Sequence, residues 1–567
     1  MVTLAHALLA SLAITLTKAT PASSVHHLNT RQTGAIEWKD CELPYNTSTS
    51  LLCGTYTVPL DYTEPDNGET LDLQVLRIPA SSQPARGSVF FNFGGPGSSG
   101  IGEMAVFGSI MQAGTGNTMP FSCYATAEDR ALADGSAPVT SNSSAAALET
   151  IWDAAQNRSD ACVAAQNATG SLIGTAFTAR DIMNVVEAIE EDGMLRFWGE
   201  SRHDPSMLSE DTDRFGIGMS YGSVLGSTLV AMFPDKVDKV LLDAVFNAHE
   251  YYRVDIEQVH DADKAFSGFC QQCVDVGSEA CPIAGDRTAS ELEEDIYAAL
   301  EDLKENPLPI AVEGIEIPVD YSTIKSLIYH GMYSPPTWPS LAATLDVLFS
   351  GNATAIAAQL MAGSAVPPVP APDADAIIGI KCSDKLVRQD TLEEAMPGIE
   401  ARQALSRIGG DIADFSAIQC ARWEMDAKER YQGDFQVKPA NPILLISTSA
   451  DPITPLVSAK NMSAGFEGSV VLEQGGFGLW QHTIVYQASL CTAKATRAYF
   501  LDGKLPEPDT VCDVEALPFS GSAGWPEVLQ RLAIEPDAGS GAASLGGRAG
   551  LWGFAVYAVC ALVFFVQ

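Results

Sequence analysis

Residues 216–226 read GIGMSYGSVLG, with Gly218, Ser220 and Gly222 in a Gly-x-Ser-x-Gly pattern. Ser220 is either a nucleophile or a serine in a glycine-rich turn. A serine hydroxyl is a poor nucleophile near neutral pH. It needs a base within hydrogen-bond reach, a carboxylate to orient that base, and donors for the developing oxyanion. When the pattern marks a sharp strand-to-helix turn, glycines flank the serine because side chains there would clash. Its partners then follow in the order serine, acid, histidine.

Histidine is the tightest test, because the chain has only eight. His6, His26, His27 and His203 precede Ser220, and His249, His260 and His330 fall at the start of a middle, helix-patterned region or within it. Only His482 lies beyond the late strand patterns, after SVVLEQ and the turn GGFG. It is the candidate base. The candidate acid is Asp451 in LLISTSADPITP, just past a buried apolar run and in a loop punctuated by Pro452 and Pro455. Upstream, FFNFGGPGSSG follows another apolar run, and Gly94, Gly95 and Gly97 leave its backbone bare. The N–H groups of Gly95 and Tyr221 are the candidate oxyanion donors.

The patterns around these residues predict an α/β fold. LDLQVLRIPA alternates and GSVFFNF is a short buried run, so residues 35–100 read as strands. VVEAIEEDG (185–193) has helical spacing, SVLGSTLVAMF reads as a helix stopped at Pro234, and KVLLDAVF as a buried strand. Strand, serine turn, helix and strand in succession is the signature of a mostly parallel sheet with helices on both faces. The expected layout is a core over 35–250, an inserted helical cap over 251–410 with breaks at YSPPTWP and AVPPVPAPDADA, and the rest of the core over 411–515.

CGTYTVPLDYTEP, FNFGGPGSSG, GMSYGSVLG, LLISTSADPITP and SLCTAKATRAYF, in that order, resemble the secreted tripeptidyl-aminopeptidase branch of the prolyl-aminopeptidase-like α/β hydrolases. The resemblance covers roughly residues 35–515. It implies the α/β-hydrolase fold, a Ser220–Asp451–His482 triad, and release of residues or short peptides from free N-termini. Such an exopeptidase needs a carboxylate for the substrate amine, and Asp384 in IKCSDK is one candidate. An esterase or lipase on the same triad, or a non-catalytic surface homologue, are the alternatives. Two departures stand out. The polar stretch ESRHDPSMLSEDTDRFGIG separates the strand-like MLRFWG (194–199) from Met219, and LWQ separates Gly478 from His482. For the first, RFGIG is the strand that feeds Ser220, or a loop protrudes beside the site, or the stretch is a translated intron, which is preferred; the same explanations apply to the second.

The formal net charge of −38 disfavours nucleic acid and anionic membrane as partners. No phosphate-cradling loop or metal motif points to a cofactor; Cys270, Cys273 and Cys281 cluster, but no second metal-spaced group follows. Residues 1–22 read as a cleaved signal peptide. Eleven of twelve cysteines lie between Cys41 and Cys512, and the near pairs Cys41 with Cys53 and Cys491 with Cys512 read as local disulfides, an odd count leaving one thiol over. Asn46, Asn142, Asn157, Asn167, Asn352 and Asn461 head Asn-x-Ser/Thr sequons. Residues 535–567, small and then apolar to the end, read as a GPI-attachment signal with its site near Ser540 or Gly541.

Overall fold

Short apolar runs built from Val, Ile, Leu and Phe form the strands of one sheet, and their alternation shows which side chain goes to which face. The computed structural model describes residues 36–41, 51–80, 84–92, 94–96, 118–134, 140–189, 191–199, 221–312, 315–352, 355, 374–478, 487–521, 524–534 and 561–566. The main strands are β1 (Lys39–Asp40), β2 (Leu52–Pro59), β3 (Thr70–Ile78), β4 (Ser88–Asn92), β5 (Leu195–Gly199), β6 (Val237–Asp243), β9 (Leu444–Ala450), β10 (Val470–Phe477), β11 (Val511–Cys512) and β12 (Ala561–Val566). A separate hairpin, β7 (Leu308–Val312) with β8 (Ile315–Val319), lies in the middle of the chain.

The sheet order is β1-β2-β3-β12-β4-β5-β6-β9-β10-β11. The six strands β4, β5, β6, β9, β10 and β11 run parallel in one continuous block. Both faces of this block are buried, as a parallel sheet requires. Phe90, Phe197, Val240, Leu242 and Leu445 point into one core. Val89, Phe91, Trp198, Leu241, Leu444, Ile446 and Leu472 point into the other. Phe91 stacks on Trp198 with centroids 5.4 Å apart, and Trp198 on Phe500 at 5.7 Å.

Helices cover both faces. α1 (Thr175–Ala188), α2 (Tyr221–Met232) and α3 (Ala262–Val276) supply the first core, and α10 (Leu490–Asp502) supplies Tyr499 to the second. Between β6 and β9 the chain adds α3, α4 (Ala289–Glu305), the β7–β8 hairpin, α5 (Tyr321–Gly331), α6 (Trp338–Phe349), α7 (Ala374–Asp384), α8 (Leu392–Leu405) and α9 (Gly410–Ala421). The expected cap is therefore helical except for one hairpin. The helix expected over 185–193 ends at Ala188 and begins ten residues earlier than that window, at Thr175.

Five disulfides tie the described chain: Cys41–Cys53, Cys123–Cys162, Cys273–Cys281, Cys382–Cys420 and Cys491–Cys512. Cys270 is the buried free thiol among the described residues. The Cys273–Cys281 bond consumes the cysteine cluster that had raised a metal reading.

The C-terminal run differs from expectation. Ala561–Val566 forms β12, antiparallel to β3 and parallel to β4, so that two strands adjacent in sequence are separated in the sheet. Its sequence, ALVFFV, is rich in β-branched and aromatic residues, which favour a strand paired on both edges as readily as a hydrophobic tail. Residues 1–22, Asn46, the stretch 200–218, Ser220, residues 479–481, His482, Ser540 and Gly541 lie outside the described residues.

Candidate active site

Gly94, Gly95, Tyr221, Asp451 and Gly478 lie at the carboxyl ends of neighbouring parallel strands, which is where open α/β sheets place their ligands. The glycine turn follows β4. The serine turn joins β5 to α2. Asp451 directly follows β9, and the segment holding His482 follows β10.

After β4 the chain turns at Gly94 and Gly95, with φ of 85° and 109°. Side chains rarely adopt these values, so glycine is required here. Asn92 at the strand end accepts the Gly94 N–H through Oδ1 at 3.0 Å, which fixes the turn.

β5 ends on Gly199, paired with Asn92 of β4 and Leu242 of β6. A Cβ at Gly199 would meet the carbonyl oxygen of Gly222 at 2.1 Å. The strand end and the first turn of α2 are thus in direct backbone contact, although twenty-one residues separate Gly199 from Tyr221. Ser223 then ties α2 to the end of β6: its Oγ donates to Ala244 O and accepts the Phe246 N–H. Tyr221 opens α2 and is buried.

Asp451 is fully buried. Its Oδ1 accepts the N–H groups of Ile453 (2.9 Å) and Thr454 (2.8 Å), and its Oδ2 accepts the Thr454 hydroxyl (2.7 Å). Burial pushes the carboxyl up to about 7, against the pull of these donors. Gly478, where the segment holding His482 begins, donates its N–H to Ala450 O at 2.9 Å, beside Asp451. On the far side of that segment, Gln487 accepts the Phe477 N–H through Oε1 and the Gln474 side-chain amide through its carbonyl. One end of the segment is therefore held against β9 and the other against β10.

Sequence reading missed the cap residues here. Tyr329 donates to Pro452 O at 3.2 Å and packs edge-on against Tyr333. A Cβ at Gly478 would strike Tyr333 O and Pro335. The segment Tyr329–Pro335 therefore rests on both the acid loop and the start of the histidine segment. Its sequence signal was only the proline break YSPPTWP.

Asp384 is the candidate for the substrate amine. It is fully buried at the end of α7. Oδ1 accepts the Thr175 N–H (2.9 Å), and Oδ2 accepts the hydroxyls of Thr175 (2.5 Å) and Tyr251 (3.1 Å). Burial pushes its carboxyl up to about 6, with these donors and Lys385 pulling it down. Both carboxylate oxygens are thus occupied by donors from the fold.

No group of three or more His, Cys, Asp or Glu side chains with metal-holding geometry occurs among the described residues.

Residues 408–512 match the family model described as TAP-like protein. The fold is that of the α/β hydrolases. The TAP-like segment holds α9, β9, the Asp451 loop, β10, His482 and the Cys491–Cys512 disulfide. The chain is 23% identical over 506 residues to Serine protease Hip1 of Mycobacterium tuberculosis, covering 84% of this chain and 91% of that protein. It is 23% identical over 521 residues to Tripeptidyl aminopeptidase of Streptomyces lividans, covering 85% and 87%. Putative hydrolase YuaR of Escherichia coli is 21% identical over 506 residues. Each likeness spans both halves of the sheet and the insertion between them.

Proposed function

We propose that this protein is a serine exopeptidase that releases residues or short peptides from free N-termini. The supporting observation is the convergence of the Gly94–Gly95 turn, the start of α2 at Tyr221, Asp451 and Gly478 at the carboxyl ends of β4, β5, β9 and β10. Ser220 attacks the scissile carbonyl and His482 takes its proton. Asp451 orients the imidazole, and the N–H groups of Gly95 and Tyr221 receive the oxyanion. His482 returns the proton to the leaving amine, and water clears the acyl-enzyme. None of these steps needs a cofactor.

The same reading places the protein outside the cell. Five disulfides suit an oxidising compartment. Asn142, Asn157, Asn167, Asn352 and Asn461 are exposed, as glycan acceptors must be. No helix among the described residues is long and apolar enough to cross a membrane. The small-residue linker and apolar end of the chain favour removal on lipid attachment, whereas pairing of Ala561–Val566 with β3 and β4 favours retention. Mass spectrometry of the mature C-terminal peptide decides between them.

Activity is tested with a free-amine tripeptide anilide, its N-acetylated twin and a short-chain aryl ester, each beside Ser220→Ala. The expected result is cleavage of the free-amine peptide alone, abolished in the variant. Ester turnover without peptide turnover makes the protein an esterase. Silence on all three substrates, both in the full chain and with residues 200–218 deleted, makes it a non-catalytic homologue.

A further inference from the structure

Asp384 is a buried carboxylate with a defined hydrogen-bond polarity, and the proposed chemistry does not use it. Four segments meet around it: the N-terminus of α1 at Thr175, the N-terminus of α2 at Tyr221, the end of the short helix Ala248–Tyr251, and its own helix α7. Thr175 has one hydroxyl proton, and a 2.5 Å contact commits it to Asp384 Oδ2. Thr175 Oγ1 can then only accept from its other partners, the Tyr221 hydroxyl at 2.7 Å and the Tyr252 hydroxyl, and the Tyr221 hydroxyl also meets Thr178. The chain of donors runs from Tyr221 O–H to Thr175 O–H to the carboxylate, with Tyr251 O–H donating to the same oxygen. The negative charge sits at the N-terminal end of the fourteen-residue α1, where the helix dipole favours it. The site has little slack, since a Cβ at Gly174 would meet Asp384 Oδ1 at 3.1 Å and Ala427 at 2.7 Å.

The last member of this chain is the residue that follows Ser220. We propose that Asp384, acting through Thr175, is a positioning residue that holds the Tyr221 ring and so aims the Tyr221 backbone N–H at the oxyanion. The inference rests on the serine-hydrolase reading of Ser220. It assigns Asp384 to catalytic geometry in place of amine binding. The charged and titratable groups that face the carboxylate are Tyr221, Tyr251, Tyr252, Lys385 and Arg388.

The test compares Asp384→Asn, Thr175→Val, Tyr221→Phe and the double variant Asp384→Asn/Tyr221→Phe in the full chain. It reads kcat and KM on the free-amine tripeptide anilide, the rate of Ser220 labelling by a fluorophosphonate, and the melting temperature. An Asn side chain gives Thr175 a donor where it now has an acceptor and reverses the chain of donors. Asp384→Asn is expected to lower kcat and the labelling rate about 10- to 100-fold with KM nearly unchanged, the scale of a slightly misaimed donor. Tyr221→Phe, which keeps the ring and the N–H but loses the hydroxyl, should fall in the same direction. The double variant should be no slower than the slower single. The Asn deficit should shrink below about pH 6, where the native carboxyl takes up its proton. A raised KM at unchanged kcat would return Asp384 to substrate binding and overturn the proposal. So would unchanged kinetics in folded variants, or additive losses in the double. If Asp384→Asn does not fold, Thr175→Val and Tyr221→Phe decide the question by the same readings. Absence of wild-type labelling overturns the serine-hydrolase reading and the positioning role with it, whereas normal wild-type labelling with unaffected variants overturns the positioning role alone.

Discussion

A single carboxyl is a different object exposed in a turn and buried beneath one, and sequence alone does not distinguish them. Asp451 and Asp384 both follow apolar runs, and both are fully buried with three donors each. Asp451 could be put forward as the acid because chain order and the strand before it leave few places for one, and the fold places it directly after β9. The hydrogen bonds of Asp384 could not be read from sequence, because its partners lie 133 and 209 residues away. Tyr329 and Tyr333 gave no signal, since only the fold brings them to the acid loop. Asp451→Asn is expected to lower kcat/KM by about 10⁴-fold, the usual loss when the base is no longer oriented. The melting temperature should change little. The native carboxyl is pushed up to about 7, so a neutral side chain suits the site, and the Thr454 hydroxyl can turn to accept from the new amide. Steady-state kinetics and calorimetry on one preparation check both halves. A large loss of stability with modest loss of activity would make Asp451 a structural turn residue.

At the scale of elements, the sheet was readable because both faces of its parallel block are buried, so its strands appear as continuous apolar runs. The β7–β8 hairpin was not, because its two five-residue strands carry prolines that read as breaks. β12 was not either, since an apolar end of chain satisfies the pattern of a tail and of a strand. The element of most consequence is the serine turn. A Cβ at Gly199 would lie 2.1 Å from Gly222 O, so the end of β5 and the first turn of α2 are packed backbone to backbone. Deletion of residues 200–218 is therefore expected to leave the melting temperature undiminished, because β5 and α2 keep every described contact. Gly199→Ala should do the opposite. Its Cβ would lie 2.1 Å from Gly222 O, an overlap with backbone that no rotamer relieves. A loss of about 1–3 kcal/mol is expected, read as a lower denaturant midpoint. If the deletion unfolds the protein while Gly199→Ala is harmless, a different strand feeds the turn.

For the whole molecule, the dominant electrostatic fact is a net charge of −38 combined with buried acids that prefer their protons. Burial pushes Asp181 up to about 8, Asp451 to about 7 and Asp384 to about 6. The folded state holds these protons more tightly than the unfolded chain does. The stability they contribute is complete below about pH 4 and is lost stepwise as pH rises through 6, 7 and 8. Asp61 and Asp255 work in the other direction. Both are drawn below the usual range, Asp255 by Lys381 and Lys385 and Asp61 by Lys428 and Thr63, each overcoming the cost of burial. Their contribution is present above about pH 4 and lost below it. The two trends leave a maximum on the acid side, and self-repulsion among the surface acids sharpens it, since fewer are ionised there. The melting temperature is expected to peak between about pH 4 and 6 and to decline toward pH 8. Scanning fluorimetry across that range checks it. Asp181→Asn should flatten the slope between pH 6 and 8, because Asp181, which accepts from the Tyr62 hydroxyl at 2.5 Å, is the last of the three to ionise. A maximum near pH 8 instead would mean that the buried carboxyls are already ionised in the native state at about pH 4 to 6. For Asp451 the cation responsible would be a protonated His482, and the triad would then rest as an ion pair before substrate arrives.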